Sequence, residues 1–236
     1  MKAGETKFID FLNSNQQFII PVYQRTYSWG ISQCRQLWED LMRVIKNNVE
    51  AHFIGSIVYV SDGLYVNTET QNYLVIDGQQ RLTTISLLFL AIRDKLKNNN
   101  DFSTNERQIT NQFLINEFAS QDKKNKLCLT QNDKVVFEKL LNGQRIEENE
   151  KQNKIWINYN YFVEELNDTN INIDELYSGI RRLIIVSIVL DRNNDNPQLI
   201  FESLNSTGLD LSQSDLIRNY VLMGLENGLQ EKIYNE

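Results

Sequence analysis

The chain has 236 residues, 41% hydrophobic and 23% charged, an ordinary composition for a folded soluble protein and enough for one large core or two small ones. Its formal net charge of −7 gives no sign of the basic surface expected of a protein that binds nucleic acid unaided. His52 is the single histidine, which excludes zinc sites built on several histidines and nucleases that need a histidine base and a histidine ligand. Cys34 and Cys128 stand apart, with neither a disulfide framework nor zinc-knuckle spacing. No apolar segment has the form of a signal peptide, and the longest strongly apolar run, 183–190, is too short to span a bilayer. A cytoplasmic protein with no membrane partner is expected.

In chain order, residues 5–13 read as a short helix and 17–20 as a strand stopped by Pro21. From Ile31 to about Asn47 the spacing of Cys34, Leu37, Trp38, Leu41 and Ile45 predicts a helix. Residues 52–60 read as a strand, and a turn at 61–63 leads into a second extended stretch ending near Ile76. His52, beside Phe53 at the start of that strand, reads as structural. After Asn98 the sequence becomes polar, and 105–181 is mostly helical pattern, with 142–153 the exposed loop. A buried strand returns at 183–190. Helices follow at about 198–204 and at 212–226, the second capped by Asp210 or Ser212. This gives three parts: a core over 1–100, a helical insertion or subdomain over 101–182, and 183–236 returning to complete the core.

Three stretches carry candidate chemistry. In YLVIDGQQRLTTISLLFLAI, residues 73–92, Asp77-Gly78 suits a hairpin turn. Leu82, Ile85, Phe89, Ile92 and Leu96 then recur at helical spacing, so the unit reads as strand, tight turn, helix. That places Arg81 in the first helical turn, where free N–H groups already carry partial positive charge. An anion would satisfy both the N–H groups and the guanidinium. The alternative is a structural pair with a carboxylate such as Asp77.

In IPVYQRTYSW, residues 20–29, Arg25 suits a phosphate grip with Tyr23 or Tyr27 against a base or sugar; equally, Tyr27 and Trp29 suit a core with Arg25 stacked on one of them. In FESLNSTGLDLSQSDLIRN, residues 201–219, Asn205, Ser206, Thr207 and Gly208 can present N–H groups and hydroxyls to an anion. The same residues suit a capped turn between helices.

Together with FIGSIVY at 53–59, these stretches resemble, in order and across nearly the whole chain, the N-terminal domain of the GmrSD-type modification-dependent restriction endonucleases. The resemblance implies a ParB/sulfiredoxin-like α/β (α+β) fold, a small mixed sheet with a large helical portion. It implies an NTP-binding and NTP-hydrolysing domain with Mg²⁺, governing a nuclease that acts on modified phage DNA. It carries over a catalytic set of Asp77, Gln79, Gln80 and Arg81. A nucleotide-binding set of Tyr23, Gln24, Arg25, Gly78, Arg81, Asn205, Ser206, Thr207 and Gly208 would complete the pocket, with Asp77 contacting the metal. In such a mechanism the arginines stabilise phosphoryl charge and Gln79 or Gln80 orients water. Members of the family continue into a histidine-containing nuclease domain, which is expected to be missing here, supplied by a longer chain or a separate subunit. Modified DNA is then a partner of the full assembly, bound weakly or not at all by this chain, and oligomerisation is open. The rival readings are a non-catalytic nucleotide- or DNA-sensing module and a structural partner-binding domain.

Overall fold

The computed structural model describes residues 1–61, 70–97, 102–168, 171–191, 195 and 199–200. Within them the strands β1 (Lys2–Lys7), β2 (Gln16–Ile19), β3 (His52–Ser61), β4 (Gln71–Asp77), β5 (Leu127–Cys128) and β6 (Leu183–Leu190) form one mixed sheet in the order β1-β6-β3-β4-β2-β5. β2 runs parallel to both β4 and β5, β3 runs parallel to β6, and β3 with β4, like β1 with β6, is antiparallel. The C-terminal ends of β2 and β4 therefore meet the start of β3 at one end of the sheet.

The helices are α1 (Phe8–Leu12), α2 (Ile31–Lys46), α3 (Gln79–Leu96), α4 (Glu106–Ile109), α5 (Gln131–Leu141), α6 (Lys154–Asp168) and α7 (Ile173–Ile180). Ile57, Tyr59, Val75 and Ile185 point from the sheet into the main core, which these helices cover. Val58, Val60, Leu74, Ile76 and Leu190 line the other face, with Ile200 packed against them. α3 is the central helix. Its apolar residues are not confined to the stripe from Leu82 to Leu96: Leu87, Leu88, Leu90 and Ala91 are buried as well, as expected of a helix enclosed on all sides. α6 packs along α3 and α7 against α2.

The mixed α/β class agrees with the sequence reading, and several elements fall where the pattern placed them. The first does not. Residues 5–13 are not one helix, because Lys2–Lys7 pairs with β6 and only Phe8–Leu12 is helical. Phe8, Ile9, Phe11 and Leu12 supply the buried helical face, whereas β1 is nearly all exposed and owes its strand conformation to a partner more than 170 residues away. β5, two residues long, is the other element that pattern alone missed. The 142–153 loop carries one 3-10 turn at Glu148–Glu150 and buries Ile146. The turn at 62–63, the 205–208 loop and the helix expected at 212–226 lie outside the described residues, as does most of that at 198–204. His52 Nε2 sits 3.5 Å from the Asp40 carboxylate, and burial and Arg43 lower its pKa.

Candidate anion site at the start of α3

Gly78 joins β4 to α3 with φ +91°, the left-handed region that glycine enters without strain. Space at this turn is also short: a Cβ there would lie 2.8 Å from the Ser56 carbonyl oxygen. No side chain caps the helix, so the first N–H groups of an 18-residue helix open at the end of the sheet. Arg81 lies in that first turn, partly buried, and its Nη1 donates to the Ser56 carbonyl at 2.6 Å. Among the described residues no carboxylate comes within ion-pair distance of it. Asp77 acts only at longer range, raising a guanidinium pKa that burial lowers. The Arg81–Asp77 pair offered by the structural alternative is therefore not a direct one.

The second motif reaches the same place. Beyond Ile19 the chain leaves the sheet at Pro21, and Gln24 Nε2 donates to the carbonyls of Val75 (2.7 Å) and Ile76 (2.8 Å), continuing β2's contact with β4. Gln79 Nε2 donates to the Arg25 carbonyl at 3.1 Å, which fixes the Arg25 backbone at the α3 end. Gln80, buried, is engaged by the same loop. Its Oε1 accepts from the N–H of Ser28 (2.7 Å) and of Trp29 (3.1 Å) and from Ser28 Oγ (3.3 Å), while Nε2 donates to the Thr26 carbonyl at 3.4 Å. With all four contacts inside the protein, Gln80 braces the loop in this conformation, its Oε1 fully taken by Ser28 and Trp29.

Sequence reasoning missed who holds the far side of that loop. The Asp133 carboxylate of α5 accepts from Tyr27 N–H at 2.7 Å. From α6, Lys154 Nζ donates to the Ser28 carbonyl (2.6 Å), and Asn158 Nδ2 donates both to the Trp29 carbonyl and to Tyr27 Oη, each at 2.9 Å. Tyr27 Oη also meets Thr84 Oγ1 at 2.6 Å, and its burial pushes the phenol pKa up. Tyr27 is thus a core residue, and Tyr23 is buried as well. The available signal was Asn158 at helical spacing with Ile155, Tyr161 and Phe162, a polar residue on the apolar face of α6. Burial raises the Cys34 thiol to about 12 and the Cys128 thiol to about 11, which suits neither for thiolate chemistry.

Asp77, Gly78, Gln79, Arg81 and Arg25 are therefore brought to one end of the sheet from two segments some fifty residues apart, which is where ligands sit in open α/β sheets. A cavity of about 610 Å³, lined by Asn13, Ser14, Thr70, Asn116, Phe118 and Lys126 among others, lies at the opposite ends of β2 and β4. A model of the GmrSD restriction endonuclease N-terminal domain matches residues 8–222. The chain belongs to that family. Comparison with curated proteins gives no match. The GmrSD N-terminal match spans all four sequence stretches, including 201–219, for which the described residues give no geometry. Among the described residues no helix is long and apolar enough to cross a membrane, and no cluster of three or more His, Cys, Asp or Glu side chains could hold a metal ion.

Proposed function

We propose that this GmrSD N-terminal domain binds and hydrolyses a nucleoside triphosphate at the start of α3 and acts as the sensor half of a phage-defence system that restricts modified DNA. Arg81 carries the reading. It is a partly buried cation at a helix N-terminus, where the dipole disfavours it, with one backbone acceptor and no ion-pair partner among the described residues. A phosphate group would reverse both penalties at once. Arg25, whose backbone Gln79 holds beside α3, would reach the same phosphates from the loop, and Tyr23, Gln24 and the Asn205–Gly208 loop would complete the pocket.

Mg²⁺ would enter with the nucleotide. One carboxylate, Asp77, fits a metal held mainly by phosphate oxygens and water. Bound there, the ion would neutralise charge on the phosphate oxygens. Arg81 and Arg25 would stabilise the charge that develops on the transferred phosphoryl group. Since the Gln80 Oε1 is taken by the loop, Gln79, whose Nε2 is held by the Arg25 carbonyl, would be the glutamine to orient the attacking water through its Oε1. The nuclease is a partner domain or subunit, and this chain is expected to leave modified DNA uncut. A cytoplasmic setting goes with that role.

The experiment is phosphate release by the purified chain from each nucleoside triphosphate with Mg²⁺, set against Arg81→Ala. Release that needs Arg81 supports the reading. Release unchanged in Arg81→Ala removes the site. The engagement of Gln80 favours one second reading, a module that binds nucleotide without hydrolysing it; saturable binding with no release would select it.

A further inference from the structure

We infer that Gly55 sets the position of Arg81, so that the bulge in β3 is a seat for the guanidinium and leaves it one free edge shaped for a bidentate oxyanion. The inference rests on Arg81 meeting phosphate, as proposed above, and goes further in naming what aims it. Along β3 the partners in β6 run Phe53↔Ile184 and then Ser56↔Val186, so β3 holds one extra residue there. Gly55 lies in that irregularity with φ +110°. A Cβ on it would fall 2.4 Å from Arg81 Nη2, 2.5 Å from Cζ and 3.0 Å from Nε. Three atoms of one flat group at such distances mean that the guanidinium lies against the bare Gly55 backbone.

The next residue completes the seat. Ser56 turns its carbonyl to Arg81 Nη1 at 2.6 Å, and the same oxygen closes on Gly78 from the other side. With Nη1 tied down, Nε and Nη2 keep their two parallel N–H groups, and no described residue accepts from either. That edge matches two oxygens of one phosphate. A lysine ammonium has the charge without the fork. Gly55 is a positioning residue: it touches no ligand and acts through Arg81.

The test measures affinity for tripolyphosphate with Mg²⁺, and melting temperature, in wild type, Gly55→Ala, Arg81→Ala, Arg81→Lys and the Gly55→Ala/Arg81→Ala double variant. Arg81→Ala and Gly55→Ala should each weaken binding tenfold or more, Arg81→Lys nearly as much, and the double variant should bind no worse than Arg81→Ala. Gly55→Ala should lower the melting temperature, and the double variant should regain part of the loss, because the clash is gone while the strained φ remains. Wild-type affinity in Gly55→Ala, or losses that multiply in the double variant, would overturn the inference. Full affinity in Arg81→Lys would overturn the fork. Should wild type bind no tripolyphosphate, the nucleotide reading fails alone, and the melting temperatures still decide the seat: partial recovery upholds it and equal losses in both backgrounds reject it. Should Gly55→Ala not fold, the double variant must; a double variant that also stays unfolded rejects it.

Discussion

α3 carries a buried or partly buried arginine near each end, and the two are treated differently. Arg93, 3% exposed, donates to the carbonyls of Leu140 and Leu141 at the end of α5 and pairs with Asp94 at 2.9 Å. Lys126, 4% exposed, does the same for α1, donating to the Leu12 carbonyl at 3.0 Å and to that of Ser14. Both cations stand at helix C-termini, where orphan carbonyls and the dipole welcome positive charge. Arg81 stands at a helix N-terminus with one carbonyl. The first two are complete within the fold. Among the described residues Arg81 has only that one acceptor, which sets it apart from the two structural cations and makes it the candidate functional one.

The largest expected effect tests that separation through stability. Arg93→Ala should lower unfolding free energy by about 3 kcal/mol, since buried carbonyls lose their donor and Asp94 its partner. Without nucleotide, Arg81→Ala should cost less than about 1 kcal/mol. Urea denaturation of both variants measures the contrast, and equal costs would erase it. With nucleotide the two costs should converge. At about 100 times its dissociation constant, NTP with Mg²⁺ should stabilise wild type by roughly 2.7 kcal/mol. Thermal shift should show this gain kept in Arg93→Ala, if that variant is folded, and largely absent in Arg81→Ala.

Gln80→Ala probes the loop between those extremes. Losing a buried amide that satisfies two loop N–H groups should cost about 1–2 kcal/mol and weaken nucleotide binding without a direct contact. Unchanged affinity would mean that Arg25 does not depend on the brace. The smallest effect concerns Lys126, whose pKa burial lowers to about 8. Between about pH 8 and 10.5 the unfolded chain holds a proton that the folded chain has released, so this residue's contribution makes stability rise with pH. Because Lys126 lines an open cavity, the rise should be on the order of 1 kcal/mol. Lys126→Met should flatten that part of the pH profile; an unchanged slope would show that the two carbonyls hold the charge fully.

Much of this was legible because it is local. Periodicity placed α2 and α3, β-branched runs placed β3, β4 and β6, and Asp77-Gly78 before a helical pattern located a turn and an ill-placed arginine. What was not legible depends on distant partners. β1 is a strand because β6 lies beside it, and no residue of Lys2–Lys7 announces that. Gln79 and Gln80 looked interchangeable in sequence, and only the fold shows Gln80 turned into the 26–29 loop. The grip of Asp133, Lys154 and Asn158 on that loop joins positions more than a hundred residues apart, beyond any local pattern.

That grip bears on how such a domain can diverge. The polar middle of the chain looks free to change, yet it presents an acceptor to Tyr27 and a donor to Trp29 from buried positions of α5 and α6, and a donor to Ser28 from the exposed Lys154 at the start of α6. A lineage that shortened those helices would leave two carbonyls and an N–H of the loop unmatched beside Arg25. Drift in this region is therefore free on the outside and held on the inside, so descendants should vary the surface of α5 and α6 sooner than Asp133 and Asn158, the buried positions that hold the loop.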